Sequence, residues 1–140
     1  WTSLGPETSI EDPASSTQKT VSGRVSALAI SPRCSVRGGV GCRLWVGTAG
    51  GGVWRTDDAM NTTDPRWRWI SRGLGTNNIG SLALDPNDRF DNTILVGTGE
   101  TNTPQNSGAG TGVYRSTDGG ERWTRVATMI TDILPVYEEK

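Results

Sequence analysis

Apolar residues along this chain fall in short alternating runs, not in helical stripes. In VSALAI, Val25, Ala27 and Ala29 alternate with Ser26, Leu28 and Ile30, the period of two that a strand imposes on its two faces. Leu44, Trp45 and Val46 form a continuous apolar run of strand length. Clusters of Gly, Pro, Asp and Asn separate the runs, which is turn chemistry. No stretch carries a persuasive helical period, so the pattern predicts an all-β chain.

The runs recur in a fixed order. SALAISP (Ser26–Pro32) matches GSLALDP (Gly80–Pro86), and LWVGTAG (Leu44–Gly50) matches ILVGTGE (Ile94–Glu100). GVWRTDD (Gly52–Asp58) matches GVYRSTD (Gly112–Asp118), and WRWI (Trp67–Ile70) matches WTRV (Trp123–Val126). Four short strands repeating at about 50 residues are the signature of a β-propeller blade. The expectation is a partial β-propeller spanning 1–126, with antiparallel four-stranded blades at 23–71 and 78–126. WTSL, Trp1–Leu4, resembles the last strand of each unit and would be the outer strand of a neighbouring blade. The tail 127–140 does not reproduce the first-strand pattern and stays unassigned. Propellers close with typically 4–8 blades, so the partners implied first are the remaining blades, in the same protein or in another chain.

Composition narrows the chemistry. Of 140 residues only 33% are hydrophobic, with 19 Gly and 6 Trp, a profile of short strands, many turns and a few large aromatics that supply burial. Fourteen basic residues against 15 acidic ones leave no excess to neutralise phosphates, so nucleic acid is not an expected partner. No apolar run approaches the roughly 18 residues of a membrane span, and no signal-peptide core is present, so a chain starting at Trp1 reads as a mature or trimmed product. Histidine is absent. The chain by itself therefore cannot build a Ser-His-Asp or Cys-His nucleophile or a His-ligated metal. Cys34 and Cys42 each lie two residues from a marker of the flanking strands, Pro32 and Leu44. If those flanks pair as a hairpin, the two cysteines face each other and a disulfide is expected, with free buried thiols as the competing account. A disulfide points to a secreted, periplasmic or cell-surface protein.

The residues Ser116, Asp118, Gly120 and Trp123 of YRSTDGGERW resemble the Asp-box, or BNR repeat, of sialidase-like and sortilin-like propellers. Taken with WTSLGP, VSGRVSALAISP and LWVGTAGGGVWRT, they make the chain similar to secreted bacterial BNR-repeat proteins often called glycosyl hydrolase-like. Xyloglucanase-type enzymes share that architecture. The first copy departs from the motif: Thr56 and Asp58 remain, but Ala59 and Met60 stand where the glycines would be, and NTTDPR intervenes before Trp67. Arg122 replaces the usual Thr or Ser before Trp123. No arginine triad or tyrosine context of sialidase catalysis is recognisable. The resemblance implies a ligand groove on the face away from the Asp-box turns.

Strand alternation sorts the loops accordingly. The Asp-box turns share one end with the disulfide hairpin and with DPNDRFDN (Asp85–Asn92). The opposite end takes GPETSIEDPASSTQKTVSGR, GTAGGG, GLGTNN and the longer GETNTPQNSGAGTG, where inserted length suggests a binding surface. Ligand-facing candidates there are Arg24, Asn77, Asn78, Glu100 and Asn102. Glu100 with Glu11 or Asp12 is the one carboxylate pairing that a glycoside hydrolase can be imagined to use, although a turn-stabilising Glu accounts for it more simply. Arg24 competes with a role capping carbonyls between blades, and Trp54 with plain packing, since Tyr114 holds the equivalent position. Asp85, Asp88 and Asp91 offer oxygen ligands, so calcium is the only cofactor left open, against ordinary turn chemistry. Asn61 heads the glycosylation sequon NTT. The function expected is a non-catalytic propeller module binding a glycan or a protein, or serving as a structural subunit. The alternative is a glycoside hydrolase whose catalytic carboxylates lie mostly outside this segment.

Overall fold

Two four-stranded antiparallel sheets stacked face to face dominate the computed structural model, which describes residues 9–10, 20–21, 24–34, 41–61, 63–99 and 108–127. Ahead of them β1 (Ser9–Ile10) pairs with β2 (Thr20–Val21), a pairing inside a segment whose sequence reads as loop. Two-residue strands are too short to show a period. The first sheet is a meander of β3 (Val25–Ile30), β4 (Leu44–Thr48), β5 (Gly52–Thr56) and β6 (Trp67–Trp69). The second repeats it with β7 (Ile79–Leu84), β8 (Ile94–Thr98), β9 (Val113–Ser116) and β10 (Thr124–Ala127). No helix occurs among the described residues.

The registers of the two meanders match. Leu28 pairs with Val46, Val46 with Trp54 and Trp54 with Trp69. In the second sheet Leu82 pairs with Val96, Val96 with Tyr114 and Tyr114 with Arg125. Even the irregularity recurs, a register shift between Val25 and Ala27 and again between Ile79 and Ser81. A shift of one residue there would turn every side chain to the other face, so the matching registers mean matching faces.

The core lies between the sheets. Trp45, Val53, Ile70, Ile79, Ile94 and Val96 form its buried cluster, with Ala29, Leu74, Leu82, Leu84 and Trp123 packed around them. Burying a side chain of this size is worth roughly 1.5–3 kcal/mol each. β7 lies closest to the first sheet. Ile79 sits so near Gly47 that a Cβ there would come within 2.6 Å of its Cγ2. The Ser26 hydroxyl donates to the carbonyls of Gly47 and Ile79, and Ala49 forms a β-bridge with Asn78. The first sheet uses the face of Ala29, Trp45, Val53 and Arg55 for this contact, and its other face is left bare: Leu28 is 63% exposed, Ile30 57% and Trp69 46%.

Cys34 and Cys42 are joined in a disulfide at the base of the β3–β4 connection, in keeping with the hairpin expectation. No helix of the described residues is long and apolar enough to cross a membrane. Trp1–Leu4 and 128–140 lie outside the described residues.

Candidate functional site

At one end of the sheets, the β3–β4, β5–β6, β7–β8 and β9–β10 connections meet. The β5–β6 and β9–β10 turns are closed by the same kind of carboxylate clamp. In the second, the Ser116 hydroxyl donates to Asp118 Oδ1 (2.8 Å), and the Asp118 and Gly120 N–H groups donate back to Ser116 Oγ. The N–H of Arg122, just before Trp123, donates to Asp118 Oδ1 at 2.9 Å. In the first, the Thr56 hydroxyl donates to Asp58 Oδ1 at 2.5 Å, the Asp58 N–H donates to Thr56 Oγ1, and Arg66, just before Trp67, donates to Asp58 Oδ1 at 3.0 Å. The carboxylate thus clamps the two ends of the turn whatever lies between them. Gly119 and Gly120 adopt φ of 76° and 99°, the left-handed region that favours glycine. Asp91, at 51°, is the one non-glycine residue with positive φ among those described, so Ala59 and Met60 route the first turn differently.

These hydrogen bonds set the acidity of the clamps. Asp58 is held below the ordinary carboxylate range, first by the Thr56 hydroxyl and then, against the opposing effect of burial, by the Arg66 N–H. Burial is the largest single influence on Asp118 and pushes it up. The Arg122 N–H, the Ser116 hydroxyl and the Glu121 N–H together outweigh it and bring the group below the ordinary value. Asp88 is lowered chiefly by the Phe90 N–H and also accepts from Asn92 and Thr93.

Sequence reading missed the arginine network that ties this end together. Arg55, 7% exposed, donates from Nη1 to the Gly119 carbonyl across the sheet interface (2.7 Å) and from Nη2 to Asp57 (3.0 Å). Its Nε is buried without a hydrogen-bond partner. Asp91, 2% exposed, accepts from the Ser31 hydroxyl at 2.5 Å and from Arg33 Nε at 3.1 Å. Arg43 bridges Asp57, the Phe90 carbonyl and Asn92. The Trp123 indole donates to the Ile70 carbonyl at 2.7 Å. The one sequence signal was the repeat itself, which places Arg55 and Arg115 at matching positions. Asp85 accepts from the Asn87 N–H, and the described residues include no cluster of three or more metal-ligating side chains.

The opposite end gathers Arg24, the β4–β5 turn, the β6–β7 connection and the described part of the β8–β9 loop. Backbone bonds run through it in a chain: Ala49 N–H to Arg24 O (2.9 Å), Gly52 N–H to Asn77 O (2.9 Å) and Gly99 N–H to Asn78 O (2.7 Å). The Asn78 amide donates to Thr76 Oγ1 and to the Ala109 carbonyl, so this side chain pins the β8–β9 loop to the β6–β7 connection. Asn77 turns an exposed side chain outward. Glu100 and Asn102 lie outside the described residues, as do Glu11 and Asp12. Among the described residues this end holds amides, hydroxyls, Arg24 and Arg72 but no carboxylate. Trp54, whose indole donates to the Gly51 carbonyl, lies on the bare face of the first sheet, whereas Tyr114 is buried with its hydroxyl accepting from the Gly75 N–H. An open cleft of about 650 Å³ lies between the end of β6 and the second turn, lined by Trp69, Arg72, Glu121 and Arg122 among others.

No family model, no curated protein and no solved structure matches this chain.

Proposed function

We propose that this chain is a non-catalytic binding module, part of a β-propeller in a secreted or cell-surface protein, that takes a glycan or a protein partner on the end opposite its Asp-box turns. The observation that carries this reading is the difference between the two ends. At the turn end, Asp58, Asp88, Asp91 and Asp118 are each spent on N–H or hydroxyl donors within the protein, which is what scaffold groups do. At the other end, the described residues offer amides, hydroxyls and the arginines Arg24 and Arg72 beside an inserted loop. Polar donors of that kind suit sugar hydroxyls or peptide groups. The disulfide supports an oxidising compartment.

The test is direct. The folded protein is screened against a glycan panel for binding and for released reducing ends. Binding without release, weakened severalfold by Asn77→Ala and untouched by Asp118→Ala, is the expected outcome. Release of reducing ends would overturn it in favour of a glycoside hydrolase.

A further inference from the structure

The two sheets do not pack with like faces together. Leu82, Val96 and Tyr114 of the second sheet, which face the first sheet, are the repeat counterparts of Leu28, Val46 and Trp54, which face away from the second. The stacking is therefore head to tail. Each end of the stack displays the surface that the other end is shaped to cover. The bare face of β3–β6 is apolar, with Val25 at 51% exposure and Leu28 at 63%.

The bare face of β7–β10 repeats the receiving surface. Gly97 is the counterpart of Gly47, and the neighbour of a Cβ placed there is the Ser81 side chain alone, with nothing in the seat that Ile79 fills over Gly47. Val25 is the counterpart of Ile79 and would fill it. Arg115, exposed on β9, is the counterpart of the Arg55 that reaches the Gly119 carbonyl. The counterpart of Gly119 is Ala59. Its N–H donates to Cys42 O at 3.0 Å, just as the Gly119 N–H donates to Asn92 O at 2.8 Å, so the two peptide groups hold matching places.

We infer that the free faces bind each other between copies of this chain, head to tail, with Val25 of one copy seated over Gly97 of the next and Arg115 of that copy donating to the Ala59 carbonyl. The contact continues the interface already present inside the chain. Such a heterologous contact makes a ring if its rotation closes and a filament if it does not. The inference rests on the reading of the two sheets as equivalent blades and names what covers them.

Sedimentation velocity of the whole chain across a concentration series tests it, with near-ultraviolet circular dichroism as the check on folding. Concentration-dependent oligomers are expected. Arg115→Ala should weaken association roughly tenfold, the scale of losing one well-placed arginine. Gly97→Val blocks the Val25 seat and should abolish association while the chain stays folded. The double variant Val25→Cys, Ser81→Cys should give an oxidised ladder, since Ala27, the counterpart of Ser81, packs beside Ile79 at Gly47. A folded chain that stays monomeric at its highest soluble concentration would overturn the proposal. Dimers formed as readily by Val25→Cys alone would also overturn it, because they would show like faces meeting. A monomer that still binds a glycan sinks this inference alone, and an oligomer that binds nothing sinks the ligand reading alone.

Discussion

A single carboxylate holds each of the β5–β6 and β9–β10 turns. Asp118 accepts from a side-chain hydroxyl two residues before it and from the N–H four residues after it, and Asp58 does the same across an eight-residue gap. Because the clamp survives four extra residues and the loss of both glycines, its task is to close a turn. Asp118→Ala should lower stability by about 1–2 kcal/mol, the scale of a lost cap, in urea denaturation, and leave ligand binding unchanged. Acid should act on the same residues. Asp58, Asp88 and Asp118 all have folded pKa values below their ordinary one. The unfolded chain therefore binds protons first, and the stability they contribute is present above about pH 4 and lost as pH falls through the folded values. Melting temperature followed from neutral pH downward should drop below about pH 4, and Asp88→Asn should shallow that drop. The turn motif was legible in sequence because its partners are local. Arg55 and Asp91 were not, since the groups they bind lie 64 and 60 residues away.

Strands were the easiest elements to foresee. The alternation in VSALAI and the apolar run at Leu44–Val46 map onto β3 and β4, because a strand's period of two is written in neighbouring residues. The pairing of β1 with β2 was hidden, being two residues on each side. The β3–β4 connection shows how a covalent link supports an element: the disulfide spans a separation of 8 residues, and the Cys42 carbonyl also receives the Ala59 N–H of the next connection. Removing it with Cys34→Ser, Cys42→Ser should cost about 2.5 kcal/mol by the loop-entropy relation for so short a ring, read as a lower denaturation midpoint. An unchanged midpoint would mean that hydrogen bonds at Ser31 and Ala59 hold the connection without it.

On the scale of the whole molecule the sheets are held by two contacts of different kinds. At one end Ile79 packs over Gly47, and at the other Arg55 and Trp123 each bond a carbonyl of the opposite sheet. The apolar contact tolerates no added bulk. Gly47→Val should destabilise the protein by about 1–3 kcal/mol through overpacking, measured by chemical denaturation. At Gly97 the added Cβ would clash only with the Ser81 hydroxyl, which can rotate away, so Gly97→Val should cost the folding of one chain less. Equal losses at the two glycines would show that strand conformation, not the sheet interface, sets the requirement.

Strand periodicity, repeat order, turn chemistry and the cysteine spacing are local, and they were enough to determine an all-β chain of two matching four-stranded units and to favour a disulfide over two free thiols, which the folded hairpin then decided. Which face of each unit is buried was not local. Leu28 and Leu82 occupy the same place in the same pattern, yet Leu28 is 63% exposed while Leu82 packs against the core. Only the stacking of the sheets separates them, because burial depends on what lies across a face and strand sequence records only which residues share one. The same holds for Arg55 and Arg115: identical in the repeat, one is sealed against the Gly119 carbonyl and the other stands exposed at the end of the stack.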